Sequence, residues 1–410
     1  MISILYKLLK LVPNLGVHSL QVAFLASEIA KELGLDSSFA FKTGYLHDIG
    51  VLAPHQSVVL DDINTSFLIH HDVPSLNEMV RIHTVVGSFI FGQSNIFSDI
   101  ADIVLKHHAL PKFLNENLEE DVYANIISIS EEISKYHFIN KEVGFEDIFY
   151  PLVSIQNRFF KNIFDIAIDL IKREYILWTL EDIRKGIVRN ELIISEESGG
   201  LNNEQLIEIG VIASFIVDAK SRFTKEHSWR VAKVASRMAE IAKLDEKNFF
   251  IAGLFHDIGK ITTPIGILEK KGKLTREEME IMKKHVYYSY LILLDYSQHP
   301  WFWPAVRHQE RLNGKGYPWK LTKEEMTLED EIMQTADYFS AFLEERPYRE
   351  AFTMEKAFEM VVKASEKGLL SKESVEILNE TLKTKEDFSS LEYVTEFQKN
   401  INLFVQGLIH

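Results

Sequence analysis

Apolar residues recur three and four positions apart along most of this chain, the spacing that puts them on one face of an α-helix. Two segments carry the pattern in matching form. In 18–34, Val22, Ala23, Ala26 and Ala30 share a face; in 227–243, Val231, Ala232, Ala235 and Ala239 do the same. Small side chains on such a face let helix axes approach closely. A short break follows each helix, at Gly34-Leu35-Asp36 or Lys243-Leu244-Asp245, and a second predicted helix then closes on His-Asp-Ile-Gly. The glycine of that ending is expected in the left-handed conformation of a helix C-terminus. A third stripe, Phe159, Phe160, Ile163, Ile166, Ala167, Leu170 and Ile171, predicts one long helix over about 156–190. It would complete the first half or connect the two.

The matching segments are a duplication. Positions 18–50 align on 227–259 without a gap, and 15 of the 33 pairs are identical. The expected architecture is therefore all-α, with one domain over 1–195 and a second over 204–410. The polar stretch Ser195-Glu196-Glu197-Ser198-Gly199-Gly200-Leu201-Asn202-Asn203 suits a short linker. Composition agrees: 46% of residues are hydrophobic, and there are only 19 glycines and 10 prolines in 410 residues.

Charge and cysteine content narrow the function classes. With no cysteine, neither a disulfide framework nor a thiolate metal site is available. A net charge of −15 argues against DNA or RNA as a partner, because phosphate contacts need a basic surface. A small phosphate ester stays compatible, since bound cations and local lysines invert the field inside one cleft. No run reaches about 18 uncharged apolar residues, so no membrane span is expected. Lysines interrupt the apolar run of the first ten residues, which argues against a signal peptide. A cytoplasmic location is the expectation.

Candidate metal ligands stand in order along the second half: His227, His256-Asp257, His285, His308 and Asp337. Adjacent residues on a helix diverge by about 100°, so His256 and Asp257 can serve two neighbouring ions, the carboxylate bridging through its two oxygens. Imidazole and carboxylate without thiolate suit iron, manganese, zinc or nickel. The dipeptide alone says little; His71-Asp72 has no such context and is expected to be structural or exposed.

The context is what carries meaning. The order His227, His256-Asp257-Ile258-Gly259-Lys260, His285, His308-x-Glu310-Arg311-x-x-Gly314-x-Gly316-Tyr317-Pro318, Ala336-Asp337 and Arg346-Pro347-Tyr348-Arg349 resembles the HD-GYP family of the HD phosphohydrolase superfamily. The likeness covers about 220–360. It implies tandem HD-type domains, with His227, His256, Asp257 and Asp337 on one metal and Asp257, His285 and His308 on the other. It also implies a cytoplasmic signalling hydrolase, a metal-dependent phosphodiesterase opening cyclic di-GMP to linear pGpG and on to GMP. Water activated between two ions would be the nucleophile. Lys260 and Asp257 would be catalytic, and Lys260, Gly314, Gly316, Tyr317, Arg346 and Arg349 would meet the substrate. Iron or manganese is favoured as the pair of divalent ions, with zinc and nickel also suited. Two rival readings stand beside this one: an HD phosphohydrolase for another nucleotide, and a non-catalytic module that binds cyclic di-GMP.

Two departures from the family pattern matter. Gln309 stands where a second histidine is usual, which predicts a more open second metal site. Phe223 stands where members with a third metal carry glutamate, so two ions are expected. In the first half, His18, His47, Asp48, His83, His107, His108 and Glu131 keep the ligand order. The spacing changes, however: His47 to His83 is 36 residues, and His256 to His285 is 29. Val51 replaces the lysine, and Ala109-Leu110-Pro111-Lys112-Phe113 stands where the Gly-Tyr-Pro loop would be. Expected roles for this half are metal binding without cyclic di-GMP turnover, a regulatory ligand or partner, homodimerisation, or hydrolysis of another nucleotide.

Overall fold

A computed structural model describes residues 3–12, 14–52, 81–139, 143–187, 200–218, 220–221, 226–346, 349–384 and 386–388. His71-Asp72, Phe223, Pro347-Tyr348 and most of the expected linker lie outside these residues. The described chain is helical, without strands; its only β-type contacts are the isolated bridges Asn313–Thr322 and Arg346–Arg349. No described helix is long and apolar enough to cross a membrane. The chain divides into two compact units, one built on Leu9–Gly200 and the other on Leu201–Lys399 together with Ser3–Leu8. In the second unit, Ser3 and Lys7 both donate to Asp295 Oδ2, at 3.0 and 2.6 Å.

Each unit starts its site with the same helix pair. The pairs are Leu15–Glu32 with Ser37–Leu46, and His227–Ile241 with Glu246–Phe255. The breaks between them are capped as their sequences dictate. Asp36 accepts from the backbone of Ser38 and Phe39, and Asp245 from that of Lys247; each cap contributes about 1 kcal/mol. Packing within a pair relies on small residues. A Cβ at Gly253 would lie 2.3 Å from Ala232 Cα, and one at Gly44 would lie 3.0 Å from Ala23 Cα.

Two expectations need correction. The stripe after residue 156 is not one helix but a short turn, then Lys161–Ile171 and Glu174–Arg184, and these complete the first unit. The glycine of His-Asp-Ile-Gly is required for a different reason. Neither Gly50 nor Gly259 has a positive φ. A Cβ at Gly259 would instead stand 2.0 Å from the carbonyl oxygen of His285 and 2.6 Å from the Ser289 nitrogen. Gly50 meets the His83 carbonyl and the Gly87 nitrogen at the same two distances. The missing side chain lets the helices Arg276–Leu293 and Ile82–Gly92 lie directly on the loop, which brings the third histidine to the site.

Gly259→Ala should therefore destabilise the second unit by about 1–3 kcal/mol or more, a fall of about 5 °C in Tm. Gly266→Ala, where nothing lies within 4 Å of the added methyl, is the control and should leave Tm unchanged. Equal thermal melts for the two variants would reject the close-approach argument.

Candidate metal centre

Helices aim the histidines, His227, His256 and His308 at or just beyond a helix end and His285 from the middle of Arg276–Leu293. His256 caps the helix Glu246–Phe255, and its Nδ1 bonds the Gly253 carbonyl at 2.7 Å. His285 and His308 repeat the move onto Met282 and Ala305, three residues back, at 2.6 and 2.8 Å. His227 uses a carboxylate, Glu344 Oε1, at 3.0 Å. A carbonyl or carboxylate oxygen only accepts, so each Nδ1 carries its proton outward and leaves each Nε2 facing inward, where a metal ion would displace any proton it carries. This is the support that metal-binding histidines require.

The four Nε2 atoms converge on Asp257, and its two oxygens divide them. Oδ2 lies 3.3 Å from His227 and 3.2 Å from His256. Oδ1 lies 3.2 Å from His285 and 3.6 Å from His308. Asp337 Oδ1 joins the first group, 3.3 Å from His227 Nε2. Ligands about 2.1 Å from one ion lie about 3.0 Å apart at right angles and about 3.4 Å apart at the tetrahedral angle. The observed spacings suit the edges of two coordination polyhedra sharing Asp257. The fit has a second support: Asp257 Oδ1 is buried and accepts no hydrogen bond. His227, His256 and Asp337, and separately His256, Asp257 and His308, each group their ligand atoms within 4.8 Å.

Electrostatics prepares the ligands. Burial alone would push Asp257 up, but His256, Lys260 and the bonds from His227 and His256 hold it well below the usual carboxylate range. Burial lowers His308 to about 4, with His256 adding to the effect, so its ring is neutral at pH 7. Burial opposes charge on His227, but Glu344, Asp257 and Asp337 outweigh it and raise its pKa well above the usual value. Glu344 in turn is held down to about 2 despite its burial, by His227, Arg346 and Arg230.

The remaining expected residues separate into groups. Lys260 Nζ pairs with Asp257 Oδ2, at the edge of the cluster. Gln309 donates from Nε2 to Asp337 Oδ2 at 3.0 Å and accepts the Tyr317 hydroxyl on Oε1 at 3.1 Å. It therefore steadies a candidate ligand and the Tyr317 loop together. Glu310 fastens that loop, accepting the backbone N–H groups of Trp319, Lys320 and Leu321. Gly316 packs on the Glu310 backbone, 2.4 Å from a would-be Cβ, while Gly314 takes a positive φ of 70°. Arg346 holds Glu344 Oε2 at 2.9 Å. Arg349, expected on phosphate or guanine, is instead committed elsewhere. Its guanidinium donates to the carbonyls of Ala341, Phe342, Glu344 and Glu350 and stacks beside Phe342 and Phe352.

Two supporting residues were not found from sequence. Glu344, in a Glu-Glu pair that reads as surface charge, is buried and holds His227 and Arg230. Asp218 accepts both the N–H and the hydroxyl of Ser228, at 2.8 and 3.0 Å, pinning the start of the His227 helix. Burial pushes its carboxyl up to about 6 against the pull of His227.

A cleft of about 710 Å³ is lined by Leu268, Lys270, Lys273, Met279, Met282 and Arg346 among others. It adjoins the cluster through Met282, whose carbonyl holds His285, and through Arg346 on Glu344. Its size is that of a small-ligand pocket.

Comparison with known proteins gives two matches to HD-domain family models, over residues 15–135 and 211–369. The 3′3′-cGAMP-specific phosphodiesterase 1 of Vibrio cholerae is 34% identical over 165 residues, covering 39% of this chain and 38% of that protein. The cyclic di-GMP phosphodiesterase response regulator RpfG of Xanthomonas campestris is 43% identical over 135 residues, 31% of this chain and 35% of the relative. A cyclic di-GMP phosphodiesterase of Thermotoga maritima is 36% identical over 178 residues, 42% and 48% of the two chains. The chain thus spans between about a third and a half of these relatives' lengths. A crystal structure of the cyclic GMP-AMP phosphodiesterase V-cGAP3 of V. cholerae superposes over 93% of this chain and 98% of its own, with a TM-score of 0.56 at 19% identity. That likeness is one of fold.

Glu344→Gln should keep the fold but lower divalent-metal affinity about 10- to 100-fold, read by competitive Mn²⁺ titration beside a circular-dichroism spectrum. Unchanged affinity would remove Glu344 from the support of the centre.

Proposed function

This chain belongs to the HD-domain family in both halves, and from that premise we propose that its second half is a metal-dependent phosphodiesterase for 3′–5′ cyclic dinucleotides. The observation that carries the proposal is the division of Asp257, one oxygen facing His227 and His256, the other His285 and His308. That arrangement suits a pair of divalent ions. Such ions supply an ionised water near neutral pH and neutralise charge on a phosphate. Relatives similar to part of this chain are named for cyclic di-GMP and for 3′3′-cGAMP, which supports the substrate class. Cyclic di-GMP is our first choice.

The side chains take definite parts. Lys260, beside Asp257, presents an ammonium to a phosphate entering the cluster. Gln309 keeps Asp337 turned toward His227 and holds the Tyr317 hydroxyl, so the tyrosine enters as an oriented ring at the rim. In the adjoining cleft, Lys270, Lys273 and Arg346 suit the second phosphate, and Met279 and Met282 offer adaptable apolar contact to a base. Hydrolysis adds water across one P–O bond and leaves a 5′-phosphate and a 3′-hydroxyl, the ends of a linear dinucleotide.

The test is to incubate the full chain, loaded with Fe²⁺ or Mn²⁺ under reducing conditions, with cyclic di-GMP and with 3′3′-cGAMP. Linear product is expected, and His256→Ala/Asp257→Ala should abolish it. Binding without cleavage would make this half a ligand-binding module; neither binding nor cleavage would reject the substrate class.

A further inference from the structure

Two lysines of the second unit meet at the short 3₁₀ turn Ile258–Thr262, one carried by it and one holding it. The turn carries Lys260, whose Nζ pairs with Asp257 Oδ2. Lys220 holds it. This half-buried lysine follows the helix Asn203–Asp218, its N–H returning to the Val217 carbonyl at 3.2 Å. Its ammonium donates to the carbonyls of Ile261, at 2.8 Å, and Thr263, at 2.7 Å. Carbonyls at a helix end lack partners within their own turn, and a lysine is a suitable donor for them. The need is sharpened here because residue 264 is proline, with no N–H to close the turn onto the Ile261 carbonyl three positions back. Lys220 supplies the donor that the proline cannot.

The chain around Lys220 is itself fastened. The helix Asn203–Asp218 lies so close to the helix Glu246–Phe255 that a Cβ at Gly210 would stand 3.0 Å from Leu254 Cδ1. Just before Lys220, Asp218 accepts the N–H and the hydroxyl of Ser228. Just after it, Ser221 donates to Glu269 Oε1 at 3.3 Å, between the cleft residues Leu268 and Lys270. Asp218, Lys220 and Ser221 therefore tie the start of the His227 helix, the Lys260 turn and the wall of the cleft to one segment.

The first unit provides the contrast. It keeps the arrangement about its aspartate: Asp48 Oδ2 lies 3.8 Å from His18 Nε2 and 3.3 Å from His47 Nε2. Oδ1 lies 3.4 Å from His83 Nε2 and 3.9 Å from His107 Nε2, and His108 Nδ1 lies 3.4 Å from Glu131 Oε2. Neither lysine is kept. Val51 stands in the place of Lys260, and the spacing of the duplicated segments puts Leu9, Leu11 and Val12 in the places of Asp218, Lys220 and Ser221. The holding lysine is missing from the copy that has no lysine to hold.

We propose that Lys220 is a positioning residue: by fixing the carbonyls of Ile261 and Thr263, it fixes the turn that sets the Lys260 ammonium beside Asp257. The use made of Lys260, contact with the phosphate of a cyclic dinucleotide, rests on the phosphodiesterase reading. Lys220 acts through the backbone and Lys260 through its charge. Loss of Lys220 should therefore have no further effect on turnover once Lys260 is gone.

Hydrogen exchange of the full chain, followed by mass spectrometry, reads the turn with no substrate present. Two backbone bonds close that turn, Lys260 N–H to the Asp257 carbonyl at 2.8 Å and Thr263 N–H to the Lys260 carbonyl at 2.9 Å. In Lys220→Met these two amides should exchange about 10-fold faster, and Lys220→Arg, which keeps the donors, should restore them. The helix Leu328–Phe342 should exchange as in the wild type. Unchanged exchange at 260 and 263 would overturn the proposal. So would faster exchange throughout the second unit, that helix included, because Lys220 would then be holding the fold and not the turn. With cyclic di-GMP and the Mn²⁺-loaded chain, Lys220→Met should lower kcat/KM about 10-fold alone and leave Lys260→Ala no worse. An equal loss in both backgrounds would also overturn the proposal. A wild-type chain without turnover would defeat the phosphodiesterase reading instead, and the exchange result would then decide the role of Lys220 by itself.

Discussion

The carbonyl oxygen of His285 occupies the place where a side chain on residue 259 would stand, 2.0 Å from the position of a Cβ. Most of the site's geometry depends on that contact. With no side chain at 259, the helix carrying His285 rests on the loop that carries His256 and Asp257. Ser289, one turn further along, then closes the junction: its hydroxyl donates to the His256 carbonyl at 2.8 Å and accepts the Gly259 N–H at 3.0 Å. The separation of three candidate ligands on two chain segments is thereby set by backbone packing. Side-chain rotation has little left to decide, which is the preorganisation a polynuclear site needs.

The parts of this arrangement that were legible in sequence are local or repeated. The alanine face and the order of the histidines and aspartates are read directly along the chain, and the duplication makes each of them visible twice. The role of the His-Asp-Ile-Gly glycine was misread because its constraint comes from a helix more than twenty residues away. The same reason hid Glu344 and Asp218: each looks like an ordinary surface carboxylate until tertiary packing buries it against His227 or Ser228. Arg349 shows the converse. Its motif suggests a ligand contact, but the helix end beside it offers free carbonyls, and a planar guanidinium with stacked aromatic neighbours fits them. The expected long helix failed for a local reason, since the chain turns at Lys172 and Arg173 between two amphipathic segments.

Gln309 and His108 occupy one position in two copies, and they show how a ligand set can drift without collapse. In the second half, the amide binds Asp337 with its nitrogen and the Tyr317 hydroxyl with its oxygen. It links the metal cluster to the loop that Glu310 fastens by three backbone hydrogen bonds. A histidine there could not offer a donor and an acceptor in that geometry while also aiming a lone pair inward. The exchange of ring for amide therefore couples the loop to the centre at the expense of one ligand. In the first half there is no such loop to couple, and the ring is free to face His83.

The invariance between copies has a simple origin. The connection between the second and third histidines differs by seven residues (36 against 29), yet Asp48 and Asp257 divide their neighbours in the same way. In four of these histidines, His47, His107, His256 and His308, the ring is held by the carbonyl three residues earlier, at or just beyond a helix end. Such a bond uses an acceptor that the helix terminus leaves unsatisfied in any case. It depends on nothing beyond one turn of chain, so insertions between helices do not disturb it. The loop that Glu310 fastens has no such protection, because its shape rests on contacts that span nine to eleven residues. Duplication followed by drift should therefore preserve the His–Asp cluster longer than the loop beside it, and the two halves of this chain stand in that relation.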